Sequence, residues 1–204
     1  MNPTPFNLKG PIKTDAPLPP VVLFLDDEPH LLRSMERVMI REPYRKIFVS
    51  SAAAAMKRIE TTPIAVVVSD LKMPGMDGLT FLRKIRETNP SIIRIVLSGF
   101  TQISQVLAAV NRGEIFRFLT KPVDEQETFR ATIRQALSEF EIQNNRAHLL
   151  SRLTLLTQGL SALSGTLHLR LESDPEGLLL LTELDTITTE LQHLALRKSL
   201  ENTR

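Results

Sequence analysis

Ile64-Ala65-Val66-Val67-Val68-Ser69-Asp70-Leu71-Lys72-Met73-Pro74-Gly75-Met76-Asp77-Gly78 is the stretch that decides the fold. Its first five residues are apolar without alternation, and an acid then opens a polar loop. A strand with one wet face would alternate. An unbroken apolar run fits a strand covered on both faces, as in a parallel sheet. The run IIRIVL at 92–97 reads the same way. Outward from this pair, apolar runs at 21–25, 47–49 and 115–119 alternate with segments of helical period. Five strands and five helices fit, which predicts a doubly wound α/β domain with a five-stranded parallel sheet over residues 21–138.

The chain of 204 residues has room for that domain and a smaller appendage, and its 42% hydrophobic content supports a core. A net charge of +2 gives no general reason to expect nucleic acid or an anionic membrane as partner. With no cysteine, disulfides, thiol catalysis and thiolate metal sites are excluded. Neither a signal segment nor an apolar run of membrane-spanning length is visible, so a cytoplasmic protein is expected. Pro3, Pro5, Pro11, Pro17, Pro19 and Pro20 crowd the start, and residues 1–20 are expected to form a disordered arm.

Near the end of the fifth predicted helix the composition changes. No proline occurs between Pro122 and Pro175, and no aromatic residue follows Phe140. Leu149, Leu153, Leu156, Leu160, Leu163 and Leu167 recur at steps of four and three, the seam of a coiled coil or helical hairpin. A second seam, Leu180, Leu184, Ile187, Leu191 and Leu194, follows the breaker Ser173-Asp174-Pro175-Glu176-Gly177. Residues 139–204 are therefore expected to form two helices joined by a turn, with Gly159 and Gly165 as weak points in the first. Nineteen leucines between Leu149 and Leu200 exceed what two short seams can hide from water, so a homodimer through a helical bundle is expected.

Ligands of a doubly wound sheet bind beyond the carboxyl ends of its strands. Predicted strand one ends in Asp26-Asp27, strand three in Asp70, strand four in Ser98 and strand five in Lys121. Three carboxylates converging in one cleft repel one another unless a hard divalent cation neutralises them, and magnesium is the expected ion. Alone, an Asp-Asp pair is more often a solvated turn or a helix cap. The joint pattern is what removes that reading.

Over residues 21–138 the sequence resembles the receiver domain of two-component response regulators, a flavodoxin-like fold. The resemblance rests on the acidic pair in LFLDDEP, the loop SDLKMPGMDG, the serine in VLSGF and the lysine-proline pair in FRFLTKP. It implies that Asp70 accepts a phosphoryl group from a sensor histidine kinase or phosphotransfer protein. Asp27, Asp70 and the backbone carbonyl of Lys72 would hold magnesium, with Asp26 acting largely through a coordinated water. Ser98 and Lys121 would hold the phosphoryl oxygens, and the bond before Pro122 would be cis. The resemblance also implies a switch that couples Ser98 to Phe118 and remodels the face made by the fourth predicted helix, strand five and the fifth. Lys72 and Phe100 stand where side chains tune dephosphorylation. Taken alone, Phe118 would be read as core.

Such a protein is a phosphoacceptor and no ordinary enzyme. Six Lys or Arg against nine Asp or Glu in residues 139–204 argue against direct DNA binding, so the downstream target is expected to be a protein. The rival reading is a phosphotransfer protein whose bundle carries a reactive His148 or His193. The plainer reading of both is a surface histidine, since His148 is followed by two leucines and has no acid beside it.

Overall fold

The computed structural model describes residues 18–99, 108, 110, 112–121, 126–171 and 175–201. Most of the fourth predicted helix, Phe100, Pro122 and the first 17 residues lie outside the described residues. Five strands form one parallel sheet: β1 (Val21–Leu25), β2 (Arg45–Val49), β3 (Val66–Asp70), β4 (Ile93–Ser98) and β5 (Arg117–Thr120), in the order β2-β1-β3-β4-β5. The strand bounds match the apolar runs within two residues, and every pairing is parallel. β1 and β3 are buried along their full length, as their continuous apolar sequence requires. The order in which successive strands are added reverses at the β1/β3 boundary, so the crevice of this fold opens there.

α1 (Pro29–Met39), α2 (Ala52–Thr61) and α3 (Gly78–Thr88) connect the strands. α1 begins on a proline, whose missing N–H is no loss at that position. Ser51 caps α2 by accepting from the Ala54 N–H, and Asp77 caps α3 by accepting from the Thr80 N–H at 3.0 Å and its hydroxyl at 2.6 Å. The sheet separates two cores. On one side Leu23, Val67 and Val96 meet Ile59 of α2 and Phe81 and Ile85 of α3. On the other Phe24, Val68 and Ile95 meet Met35 and Met39 of α1 and Phe129, Ile133 and Leu137 of the last receiver-packed helix. Phe24 stacks on Phe48 at 4.9 Å and meets Phe129 edge-on at 6.3 Å.

That last helix, α4, spans Gln126–Leu171 without a break, and α5 spans Pro175–Glu201. A boundary at Ser138 therefore falls within a continuous helix. The physical reason is plain: nothing between Pro122 and Pro175 interrupts the helix, and Gly159 and Gly165 lie inside it. Phe140 still packs on the sheet, residues 141–149 are exposed throughout, and from residue 150 onward α4 meets α5. The two helices are antiparallel, since Ser164 donates to Asp185 at 2.5 Å and Gln192 donates to Ser161 at 3.1 Å. The seams, expected to pack within the hairpin or between chains, are only partly covered within it, Leu160, Leu184 and Leu191 being half-buried. Its buried residues are Thr157, Ser164, Leu181 and Thr188, while Leu149, Leu156, Leu163, Leu180 and Ile187 are more than half exposed.

At the amino end, Pro20 already belongs to the sheet, its carbonyl accepting from the Arg45 N–H at 2.9 Å. No described helix is long and apolar enough to cross a membrane.

Candidate functional site

The carboxyl ends of β1, β3, β4 and β5 surround a cavity of about 290 Å³ lined by Asp27, Glu28, Asp70, Lys72, Ser98, Gly99 and Lys121. Asp26 sits beneath this lining, fully buried, with its Oδ1 accepting from the Glu28 N–H at 3.0 Å. Its Oδ2 meets the Lys121 ammonium at 2.7 Å. The same ammonium lies 3.1 Å from Asp70 Oδ1. Carboxylate oxygens of Asp26, Asp27 and Asp70 all lie within 4.8 Å of one another.

Electrostatics follow from this crowding. Burial raises the Asp70 carboxyl above the ordinary carboxylate range, Lys121 opposes that shift, and the negative charge of Asp26 adds to it. Burial alone would lower the Lys121 ammonium. The hydrogen bond and charge of Asp26, joined by those of Asp70, outweigh burial and hold it above its usual value. Lys121 therefore stays charged and is shared by Asp26 and Asp70, with Asp27 a third acid in the same cluster. The surplus of negative charge, with oxygen donors on an open cleft, fits a hard divalent cation that keeps part of its water shell. Asp27 and Asp70 face the cavity directly, whereas buried Asp26 is a floor to it.

Register sets the remaining groups. Ser98 pairs with Thr120, so Lys121 follows directly across from the serine, and its N–H donates to the Ser98 carbonyl at 2.9 Å. The Ser98 hydroxyl donates to the Gly99 carbonyl at 3.2 Å. Phe118 pairs with Val96, two rungs earlier, and is half-buried against the α2/α3 core. With a side-chain period of two, Ser98 and Phe118 lie on the same face of adjacent strands.

Two contributors had no sequence signal read as functional. Glu28 supplies the N–H that holds Asp26 and also lines the cavity. Gly78 opens α3 so close to β3 that a Cβ there would lie 1.9 Å from the Asp70 carbonyl oxygen, while its N–H donates to the Leu71 carbonyl at 2.9 Å. The final glycine of SDLKMPGMDG carried that signal, since only glycine permits so close a backbone approach. Gly75, at φ +83°, turns the same loop.

A family model described as the response regulator receiver domain matches residues 22–134. The chain belongs to the response regulator receiver family. Receivers are phosphoacceptor signalling domains that bind magnesium through an acidic pocket and interact with histidine kinases or phosphotransfer proteins, and Asp26, Asp27 and Asp70 form such a pocket here. The chain is 35% identical over 124 residues to the hydrogenase transcriptional regulatory protein HoxA of Cupriavidus necator, which covers 61% of this chain and 25% of that protein. It is 32% identical to the transcriptional regulatory protein GlrR of Escherichia coli K12, over 55% of this chain and again 25% of the relative. Thus the receiver spans about a quarter of the curated relatives it matches. Among solved structures, the signal receiver domain of an HD domain-containing protein from Pseudomonas fluorescens Pf-5 is 33% identical, with a TM-score of 0.58 over 63% of this chain and 93% of that one. A chain titled adenylate cyclase from Rhodopirellula baltica is 27% identical, with a TM-score of 0.62 over 66% of this chain and 98% of that one.

Proposed function

We propose that this receiver accepts a phosphoryl group on Asp70 from the phosphohistidine of a sensor kinase or phosphotransfer protein, and signals through phosphorylation-dependent contact with another protein. The observation that carries the reading is the sharing of Lys121 between buried Asp26 and cleft-facing Asp70. An Asp70 oxygen attacks phosphorus, the N–P bond breaks, and the imidazole leaves with the bonding electron pair. Lys121 then exchanges its contact with the Asp70 carboxylate for a phosphoryl oxygen, for which a point charge on a flexible stem suffices. Ser98 donates its hydroxyl to a second oxygen. Asp27, Asp70 and the Lys72 carbonyl would hold magnesium, with Asp26 behind a coordinated water. Magnesium bound there would neutralise charge on the transferring group.

Movement of the Ser98 hydroxyl toward the phosphoryl group opens space along the face it shares with Phe118, and the ring follows. The output is read as contact with a protein in the cytoplasm rather than with DNA, on the acidic balance of residues 139–204. The relatives' names attach to proteins about four times as long as the matched region, so they do not decide this point. Incubation with radiolabelled acetyl phosphate and magnesium tests the phosphoacceptor reading. Label should appear, and should be lost in excess chelator and in Asp27→Ala. Undiminished label under chelation would contradict it.

A further inference from the structure

The hairpin of α4 and α5 hides little apolar surface in its own interface. Among the described residues only one of its leucines, Leu181, is fully buried, and its other buried residues are Thr157, Ser164 and Thr188. Leu160, Leu184 and Leu191 are only partly covered, so the pairing of the two helices leaves much of their apolar surface open to solvent.

Most of what the interface omits lies on one face, with Leu155 and Leu179, 65% and 66% exposed, standing off it. Leu149, Leu153, Leu156, Leu163 and Leu167 line α4, and Leu180 and Ile187 line α5, at exposures from 38% to 67%. Each stripe stands about a quarter turn from the residues facing the other helix, such as Thr157 and Leu181. In antiparallel helices the sense of turn is opposite, so both stripes come to the same side. The result is one apolar slab, two helices wide, bare to solvent in the single chain. Its area is on the order of 700 Å², close to the ~800 Å² each partner gives to a stable protein interface.

Charge says what covers it. Between residues 142 and 169 the only charged side chains of α4 are Arg146 and Arg152, whereas those of α5 from 176 to 196 are Glu176, Glu183, Asp185 and Glu190. Arg152 lies three residues after Leu149 and four before Leu156; Glu183 holds the same relation to Leu180 and Ile187. One stripe thus has a basic rim and the other an acidic rim. An acidic rim also opposes an anionic lipid surface. A surface that is basic on one half and acidic on the other complements a copy of itself under a twofold rotation. Residues 153–169 carry no Asp, Glu, Lys or Arg, so no charge on α4 opposes burial of its stripe.

We infer that this face is the contact with a second copy of the chain, the two hairpins closing a four-helix bundle with α4 of each laid on α5 of the other. Residues 141–149, exposed around the whole helix, hold the bundle clear of the two receivers. Light scattering on the full chain tests this. The expected mass is twice that of the chain at tens of micromolar, falling to one chain in Leu156→Glu with Leu163→Glu, with helical circular dichroism and acetyl phosphate labelling retained. Leu155, 65% exposed but turned away from the slab, is the control: Leu155→Glu should remain a dimer. A monomeric wild-type chain, a paired-glutamate variant that stays dimeric, or equal dissociation by Leu155→Glu would each overturn the inference.

Discussion

Lys121 compensates two acids at once in the unphosphorylated cleft, and one of them, Asp26, has no exposure to water. Removing the ammonium leaves a buried charge without a partner. Loss of one member of a fully buried pair costs roughly 3 to 5 kcal/mol, and the 18% exposure of the Lys121 side chain moderates that here. Lys121→Met should therefore lower stability by about 2 kcal/mol in urea unfolding without divalent ions, and magnesium should reduce the loss, since another cation then serves the same acids. A deficit unchanged by magnesium would show that lysine and metal do not share this charge. The acids, the serine and the lysine were legible from sequence because they follow apolar runs whose ends the sheet must align. The burial difference between Asp26 and Asp27 was not legible, because adjacent residues at a strand end differ only in which way the chain turns.

The loop from β3 into α3 depends on Gly78, where a Cβ would overlap the Asp70 carbonyl oxygen. Gly78→Ala must push α3 away from β3 and with it the backbone that carries Asp70. A stability loss of about 1 to 3 kcal/mol and slower labelling of Asp70 are expected; unchanged stability and labelling would show that the loop yields freely. A second device ties α3 to the turn before β5: buried Glu114 accepts from Arg112 at 2.6 Å and from Arg83 at 3.2 Å. The Arg112 hydrogen bond, helped by Arg83, holds the Glu114 carboxyl below the usual carboxylate range. A depressed carboxylate contributes stability that is complete above the unfolded-state value and fades as pH falls through the lower folded value. Glu114→Gln should thus cost about 1 kcal/mol at neutral pH, given that both arginines are half-exposed, and the difference from wild type should vanish in acid. Equal pH profiles would refute the coupling. The strands themselves were readable because parallel burial leaves unbroken apolar runs; this latch was not, because Arg83 and Glu114 are joined only by the fold.

At the scale of the molecule, one helix of 46 residues leaves the receiver core at Phe140 and continues into the hairpin, so the hairpin's first helix is a direct extension of the receiver's last. The change in composition was visible in the sequence, yet it marks a change of neighbours along one helix and no break in the chain. The hairpin's inner face was hidden for a related reason. Thr157 and Ser164 repeat at the same seven-residue spacing as Leu149 and Leu156, so period alone cannot tell which set turns inward. On the function proposed above, this architecture acquires its meaning from phosphorylation of Asp70. Intact-protein mass spectrometry after incubation with acetyl phosphate and magnesium, run beside Asp70→Asn, tests that event most directly. A gain of one phosphoryl mass in the wild type and none in the variant is the predicted result, and an equal gain in both would contradict it.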